Sequence, residues 1–235
     1  MSLKNWDNNN WLSSKKFINN FIDFLSKQFK INKKSQILDI GCGRGKIVGN
    51  LYSKFHLQNK PIGVDIESHE DKDKRLNFKK TDALNFLKKN KKKFDLIIIK
   101  QTIHFFSFHQ IKTLLQFSKK NLKINGKILI FTLETKKNEI PVFLLMKKKL
   151  EKSLKRDKKI LTFIKKIYPS LILKKYTYKV KVKREKYIRM VKNRYISILL
   201  DLQTNEISSG VNEIRSNFKS QIRFNDKLIC AILKK

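Results

Sequence analysis

Short runs of apolar residues alternate with longer amphipathic stretches from residue 36 onward. The short runs are bounded by polar or turn residues and lack helical periodicity, which is typical of strands. We predict these strands at 36–40, 61–66, 75–80, 94–100 and 127–133. The amphipathic stretches place apolar residues at helical spacing, and Ser13 or Ser14 is a suitable cap for the first of them. We predict these helices at 14–29, 45–56, 82–89, 108–122 and 141–167.

Strand–helix alternation predicts a parallel sheet with helices on both faces. The end of the chain departs from it, because residues 173–183 alternate as a strand, 184–217 have helical spacing and 226–233 resemble a last strand. We therefore predict an α/β fold: a doubly wound, mostly parallel seven-stranded sheet with a helical insertion before the last strand. Insertions over a sheet edge often cover a site.

The length of 235 residues favours a single domain, 1–235. Within it we predict an N-terminal lid and helix at 1–30, a cofactor-binding core at 31–135 and a helical cap at 184–218.

The chain is strongly basic, with 55 Lys and Arg against 19 Asp and Glu and a net charge of +36. Such a surface attracts nucleic acid, anionic membranes or acidic metabolites. The excess is mostly lysine and is spread along the chain, without clusters of arginines, which bind phosphates through two hydrogen bonds each. We therefore interpret it as a compositional bias.

Two cysteines, Cys42 and Cys230, lie far apart in the sequence, so neither a disulfide framework nor a metal-ligand spacing is predicted. That usage is typical of a reducing cytoplasm. The polar N-terminus lacks the apolar segment of a signal peptide. No apolar run approaches the roughly 20 residues of a membrane span. The prediction is a cytoplasmic protein with no metal.

The stretch ILDIGCGRGKI, residues 37–47, combines a strand with three alternating glycines, Gly41, Gly43 and Gly45. In a doubly wound sheet this turn lies at the carboxyl edge, where ligands bind. Glycines allow close backbone approach. Asp65 follows 20 positions after Gly45, the spacing of an acid that accepts ribose hydroxyls.

Two nucleoside cofactors compete for this turn. A dinucleotide requires G-x-G-x-x-G, but here the third glycine comes one place early and Lys46 takes its position. Asp39, just before the turn, would repel a pyrophosphate. It suits a ligand that carries an ammonium and a sulfonium instead.

The form D-x-G-x-G-x-G resembles the first motif of class I S-adenosylmethionine-dependent methyltransferases. GVDIE (63–67), KTDALNF (80–86), FDLIIIKQTIHFF (94–106) and INGKILIF (124–131) resemble the motifs that follow in that family. The resemblance covers about residues 30–135. It implies S-adenosylmethionine as the cofactor, with Asp65 on the ribose, Asp82 on the adenine amino group and a backbone contact from Ala83. The cofactor-binding residues implied are Asp39, Gly41, Cys42, Gly43, Gly45, Asp65, Ile66, Thr81, Asp82, Ala83, Lys100 and Gln101.

A narrower resemblance lies in QTIHFF, residues 101–106, which is similar to the Q-x-x-H-W-F signature of the trans-aconitate methyltransferase group. Phe105 takes the place of the tryptophan. VKNRYISILLDL (191–202) also resembles the C-terminal part of that group. The resemblance implies a small-molecule substrate.

The catalytic candidates are His104, Arg194 and Tyr195. His104 is either a general base or substrate donor, or a histidine that packs locally. Arg194 either pairs with a substrate carboxylate or is a solvated arginine on a basic helix. Tyr195 falls on the apolar side of its helix and is alternatively core. Trp6 and Trp11 either cover the cofactor, since an aromatic face suits a sulfonium, or staple the first helix.

The sequence thus predicts a methyltransferase that acts on a small, anionic metabolite. One alternative is an RNA methyltransferase, which the charge of +36 favours. The proline-free fourth motif and the positions of the two cysteines speak against it. Another alternative is a non-catalytic, cofactor-binding partner subunit. The oligomeric state and the methyl acceptor stay open.

Overall fold

A computed structural model describes residues 11–235 of the chain. Its centre is a seven-stranded sheet with the order β3-β2-β1-β4-β5-β7-β6. The strands are β1 (Ile37–Ile40), β2 (Ile62–Asp65), β3 (Asn77–Lys80), β4 (Phe94–Lys100), β5 (Leu122–Leu133), β6 (Ile172–Lys183) and β7 (Gln221–Lys234).

Seven α-helices surround this sheet in the described part of the chain. They are α1 (Lys15–Gln28), α2 (Lys46–Lys54), α3 (Ala83–Lys89), α4 (Phe108–Lys120), α5 (Leu144–Ile167), α6 (Arg184–Lys192) and α7 (Thr204–Asn217). Short 3₁₀ turns lie at Trp11–Ser13, Ile103–Phe105 and Ser197–Leu199. None of the helices among residues 11–235 is long and apolar enough to cross a membrane.

The strand pairing confirms the predicted fold class. Strands β1 to β5 pair in parallel, and β7 is antiparallel to both of its neighbours, β5 and β6. The chain order reverses at β1, where it steps to β2 on one side and to β4 on the other. In open α/β sheets this switch point is where ligands bind.

Two apolar layers hold the helices against the sheet. One layer packs α1, α2, α6 and α7 against one face, and the other packs α3 and α4 against the opposite face. Helix α5 contributes Met146 and Leu150 to the first layer and Ile160 and Ile164 to the second. The switch point is therefore covered from both sides.

Two strands begin several residues earlier than predicted: β5 at Leu122 instead of 127, and the last strand at Gln221 instead of 226. Residues 221–227 pair with 177–183 of β6, beyond Leu228, the last β7 residue in the β5 ladder. We call these two paired segments the hairpin extension. Sequence reasoning missed it because only 228–233 is continuously apolar, whereas 221–225 alternates and pairs on one side alone.

Candidate active site

The glycine turn follows β1 at the switch point. Gly41, Gly43 and Gly45 all have positive φ, at 69°, 52° and 68°. A Cβ on Gly41 would lie 2.1 Å from the Thr102 hydroxyl, and one on Gly45 would lie 2.6 Å from Leu76. A Cβ on Gly43 would meet nothing within 4 Å. The turn therefore packs closely at two glycines and presents bare backbone to open space at the third.

Backbone hydrogen bonds fix this turn against β2. The amides of Gly41 and Cys42 both donate to the Val64 carbonyl, at 2.8 and 3.2 Å. One Asp65 carboxylate oxygen accepts the Gly43 amide at 2.7 Å, and the other accepts the Glu67 amide at 3.1 Å. Each carboxylate oxygen keeps a further lone pair, so the half-buried Asp65 is held in place with acceptor capacity for ribose hydroxyls.

Asp39 is the buried acid of the site, with an exposed fraction of 4%. Burial raises its pKa to about 7, Lys100 opposes this shift and Asp65 adds to it. Lys100 ends β4, beside β1, and its Nζ lies 5.7 Å from the ring centres of both Phe17 and Phe21. A carboxyl and an ammonium thus lie near each other at the switch point, without an ion pair between them, which suits a ligand with an amino-acid end.

The far side of the glycine turn is built by β2, β3 and the start of α3. Asp82 caps α3, and a single carboxylate oxygen accepts the amides of Leu84 and Asn85. Its other oxygen has no partner among the described residues, and its predicted adenine contact stays a prediction. Ile66 is 59% exposed beside Asp65 and offers an apolar surface for a flat ring. Thr81 is half-buried and Ala83 is buried next to them.

Cys42 lies inside the turn with its sulfur near Gly63. Burial raises the pKa of its thiol, and the carboxylates of Asp39 and Asp65 raise it further. The thiol stays protonated, which makes Cys42 a poor nucleophile, and its predicted contact with the cofactor stays a prediction.

Two polar atoms at the end of β4 are buried without a partner in the described structure, Gln101 Nε2 and His104 Nε2. Gln101 also has a positive φ of 54°, an unusual conformation for a side-chain-bearing residue. Unmatched buried polar groups and backbone strain are features that cluster at functional sites. Burial lowers the pKa of His104 to about 4, with a smaller contribution from Arg156, so the imidazole is neutral near pH 7.

Tyr195 lies in the packed interior, with an exposed fraction of 3%. Its hydroxyl lies 2.8 Å from that of Tyr187, and burial raises its pKa well above the ordinary value. A tyrosine in this position stays protonated, which favours the core interpretation over a catalytic one. Arg194 has a φ of 51°, and one terminal nitrogen donates to the Leu202 carbonyl at 2.9 Å. Part of the Arg194 guanidinium group is therefore occupied by a hydrogen bond within the cap.

Trp11 packs against C-terminal elements. Its ring contacts Tyr187, Tyr195 and Phe224, with centroid distances of 6.5, 5.1 and 5.2 Å. We call these four residues the aromatic cluster. Among the described residues, no hydrogen bond or ring contact joins the Trp11 side chain to the glycine turn, so its predicted role at the cofactor stays a prediction. Trp6 lies outside the described residues.

Asp226 is a buried acid that sequence reasoning missed. It is 3% exposed, and its carboxylate accepts the indole N–H of Trp11 at 2.9 Å. Burial raises its pKa, while the bond from Trp11 and the charge of Lys100 oppose this shift. The signal in the sequence is an acid in step with the inward apolar positions Ile222, Phe224 and Leu228; the predicted strand, 226–233, contained Asp226 only as its first residue.

Comparison with known families shows the class of protein. A family model described as a methyltransferase domain matches residues 31–186, more than half of the chain. No curated protein sequence matches. The plantazolicin methyltransferase BpumL, crystallised with a monoazolic desmethylPZN analog and SAH, is 18% identical with a TM-score of 0.54; the match covers 98% of this chain and 88% of that one.

A protein from an antibiotic biosynthesis pathway of Anabaena variabilis is 13% identical with a TM-score of 0.61, and the match covers 90% of this chain and 96% of that one. A protein from Bacillus halodurans is 14% identical with a TM-score of 0.53, and the match covers 91% and 98%. At these identities the likeness shows the fold.

The chain therefore belongs to the methyltransferase-domain family. It is a class I methyltransferase that uses S-adenosylmethionine. The bare backbone at Gly43 and the acids at the ends of β1 and β2 fit that cofactor. This assignment argues against the alternative of a non-catalytic, cofactor-binding partner subunit.

Proposed function

We propose that the protein transfers a methyl group to a small, anionic metabolite. S-adenosylmethionine supplies an electrophilic methyl group on a sulfonium. Asp39, Gly43 and Asp65 hold it, and the residues after β4 orient the acceptor.

The small size of the acceptor is supported by the cap. The aromatic cluster and the helices α6 and α7 lie over the face of the sheet that carries Asp39 and Lys100. A metabolite reaches a covered edge of this kind more readily than a folded polynucleotide does. Covering also excludes water, which strengthens the electrostatic interactions within the site.

The negative charge of the acceptor is supported by the predicted proton acceptors, which are weak. The pKa of His104 is about 4, and Tyr195 stays protonated. Methylation of an amine or a hydroxyl benefits from a base with a pKa near the working pH. A carboxylate oxygen is already deprotonated and needs none. The half-buried imidazole of His104, whose Nε2 atom is buried without a partner in the described structure, is the observation that carries this part of the proposal.

The charge of the whole protein acts in the same direction. A net charge of +36 produces a positive potential that concentrates small anions near the surface. Lys100, at the end of β4, has no hydrogen-bond acceptor among residues 11–235. Its ammonium can meet the carboxylate of the cofactor, in keeping with the predicted cofactor-binding role of Lys100, or an anionic group of the acceptor.

A pooled-metabolite screen with S-adenosylmethionine labelled in its methyl group tests the proposal. We expect a small labelled product, identified by mass, whose unmethylated form is an anion. If the acceptor is a carboxylate, mild alkali will release the label as methanol. A labelled amine or hydroxyl product that survives alkali would contradict the carboxylate acceptor.

The same screen includes an arm with total RNA, since the net charge of +36 also suits a polyanion. We expect no label in RNA. Label that appears there, and falls steeply as salt is raised, would replace the small-molecule proposal with RNA methylation.

A further inference from the structure

The hairpin extension projects past the carboxyl edge of the parallel strands. The β5–β7 ladder ends at the pair Leu133–Leu228, whereas β6 and β7 stay paired as far as Lys183–Gln221. Alternate residues of β7 share a face, so Phe224 and Asp226 point to the same side as Leu228. That side is the one that carries the aromatic cluster and Lys100.

Asp226 is the buried charge of this extension. Its carboxylate accepts a hydrogen bond from the Trp11 indole, across 215 positions of sequence. Its charge acts on Lys100 at the end of β4 and on Tyr195 in the cap. Asp226 therefore lies between the N-terminal 3₁₀ turn, the cap and the carboxyl end of β4. The indole N–H of Trp11 donates to one of its carboxylate oxygens.

Trp11 needs that bond to keep its orientation. It lies at the start of the described chain, in a three-residue 3₁₀ turn with no buried residue. Its ring lies edge-on to Phe224 and tilted to Tyr195. Aromatic contacts permit several orientations, whereas a hydrogen bond to a carboxylate is directional.

We propose that Asp226 is a positioning residue for the methyl acceptor: its carboxylate fixes the indole of Trp11 as the wall of the acceptor side of the site. This inference rests on the proposed function for the existence of that acceptor. Asp226 acts through Trp11 and does not touch the reacting atoms.

Three variants separate the hydrogen bond from the charge and from the ring. Asp226→Leu removes the acceptor oxygen and the charge. Asp226→Asn keeps an acceptor oxygen of the same shape without the charge. Trp11→Phe keeps an aromatic ring without the N–H donor. All are made in a Trp6→Phe background, so that Trp11 alone reports tryptophan fluorescence.

The first measurement needs no acceptor. We expect acrylamide to quench Trp11 fluorescence at least about twofold more strongly in Asp226→Leu than in its parent, and Asp226→Asn to resemble the parent. Binding of S-adenosylmethionine, measured by calorimetry, stays unchanged in both. If quenching is the same in all three proteins, or if Asp226→Asn behaves as Asp226→Leu, Asp226 does not hold Trp11 by a hydrogen bond and the proposal is wrong.

The second measurement uses the metabolite pool as the acceptor, in a dilution series. We expect Asp226→Leu and Trp11→Phe each to raise the half-saturating pool concentration by about tenfold, the size of one hydrogen bond to a charged group. The maximal rate stays within about twofold, a split that general loss of structure would not produce. The double variant should be no worse than either single one.

Glu139→Gln is the matched control, since it removes an acid beside the same extension. Glu139 accepts hydrogen bonds from Asn225 and Lys227 at the exposed surface, away from Trp11. We expect it to change neither quenching nor half-saturation. A pool that gives no product in the parent contradicts the proposed function, whereas the quenching result still decides whether Asp226 holds Trp11.

Discussion

The cofactor half of the molecule and its cap half build their parts of the site by different means. From β1 to β4, the site consists of backbone conformation and of carboxylates at strand ends, as at Gly43 and Asp65. In the cap and the hairpin extension, it consists of side chains from distant parts of the chain, as in the bond between Trp11 and Asp226.

The difference follows from what each half has to recognise. A cofactor with an adenosyl and an amino-acid part requires bare backbone and fixed acceptors, which short local motifs supply. The side of the site that binds the acceptor has to be covered after the substrate arrives. It is therefore made of elements that are far apart in the sequence and meet in three dimensions. Substitutions in the cofactor half should therefore change stability and cofactor binding, whereas substitutions in the cap half should change the KM for the acceptor.

The largest effect is expected at Gly41, inside the cofactor half. Gly41→Ala places a Cβ 2.1 Å from Thr102 at a φ of 69°, so both steric overlap and backbone strain oppose folding. We expect the free energy of unfolding to fall by roughly 2–4 kcal/mol, measured with urea.

Gly43→Ala is its control, since the φ of 52° is similar but no atom lies within 4 Å of the new Cβ. We expect only about 1–2 kcal/mol of lost stability, together with weakened binding of S-adenosylmethionine. Equal destabilisation by both variants, or full cofactor affinity in Gly43→Ala, would show that the space beside Gly43 is not the cofactor cradle.

The next effect is expected at Asp65. Asp65→Ala removes the proposed ribose acceptor and leaves the Gly43 amide without its partner. We expect cofactor binding to weaken by roughly 1–3 kcal/mol in calorimetry. Asp65→Asn keeps an oxygen for the Gly43 amide and should lose less. Unchanged affinity in Asp65→Ala would remove this residue from the site.

Most of the cofactor half was predictable from the sequence because its signals are local. The run FDLIIIK became β4 with the predicted bounds, 94–100, since four consecutive apolar residues are buried on both faces of a parallel sheet. The sequence predicts that the glycine turn and Asp65 lie at the same edge of the sheet. In the structure, the Gly43 amide donates a hydrogen bond to the Asp65 carboxylate.

The cap half was predictable only as a list of elements. The two helices α6 and α7 occur where helical spacing indicated them. The pairing that extends β7 to Gln221, and with it the inward position of Asp226, depends on a partner strand that no local pattern identifies. The bond between Trp11 and Asp226 spans 215 positions, which puts it beyond any spacing rule.

A smaller effect is expected from pH, through Asp39. Its pKa of about 7 is raised by burial, and a cationic cofactor favours the ionised form. Binding competence therefore increases as the pH rises through 7. We expect the affinity for S-adenosylmethionine to increase about tenfold between pH 6 and pH 8, as the ionised fraction grows.

Asp39→Asn has no titrating group at this position, so its affinity should be lower than that of the parent at pH 8 and nearly independent of pH in the same range. Calorimetry at both pH values measures the difference. A parent protein whose affinity is flat from pH 6 to pH 8 would mean that Asp39 does not face the cofactor.

The smallest effect is expected at Arg194, in the cap half. One terminal nitrogen is held by the Leu202 carbonyl, so only part of the guanidinium remains for an acidic substrate. Arg194→Ala should raise the KM for an anionic acceptor by about threefold and leave cofactor binding unchanged. Arg194→Lys keeps the charge and should recover part of the loss. A change in cofactor affinity in either variant would place Arg194 with the cofactor half and remove the distinction between the two halves, because a cap residue would then act at the glycine turn.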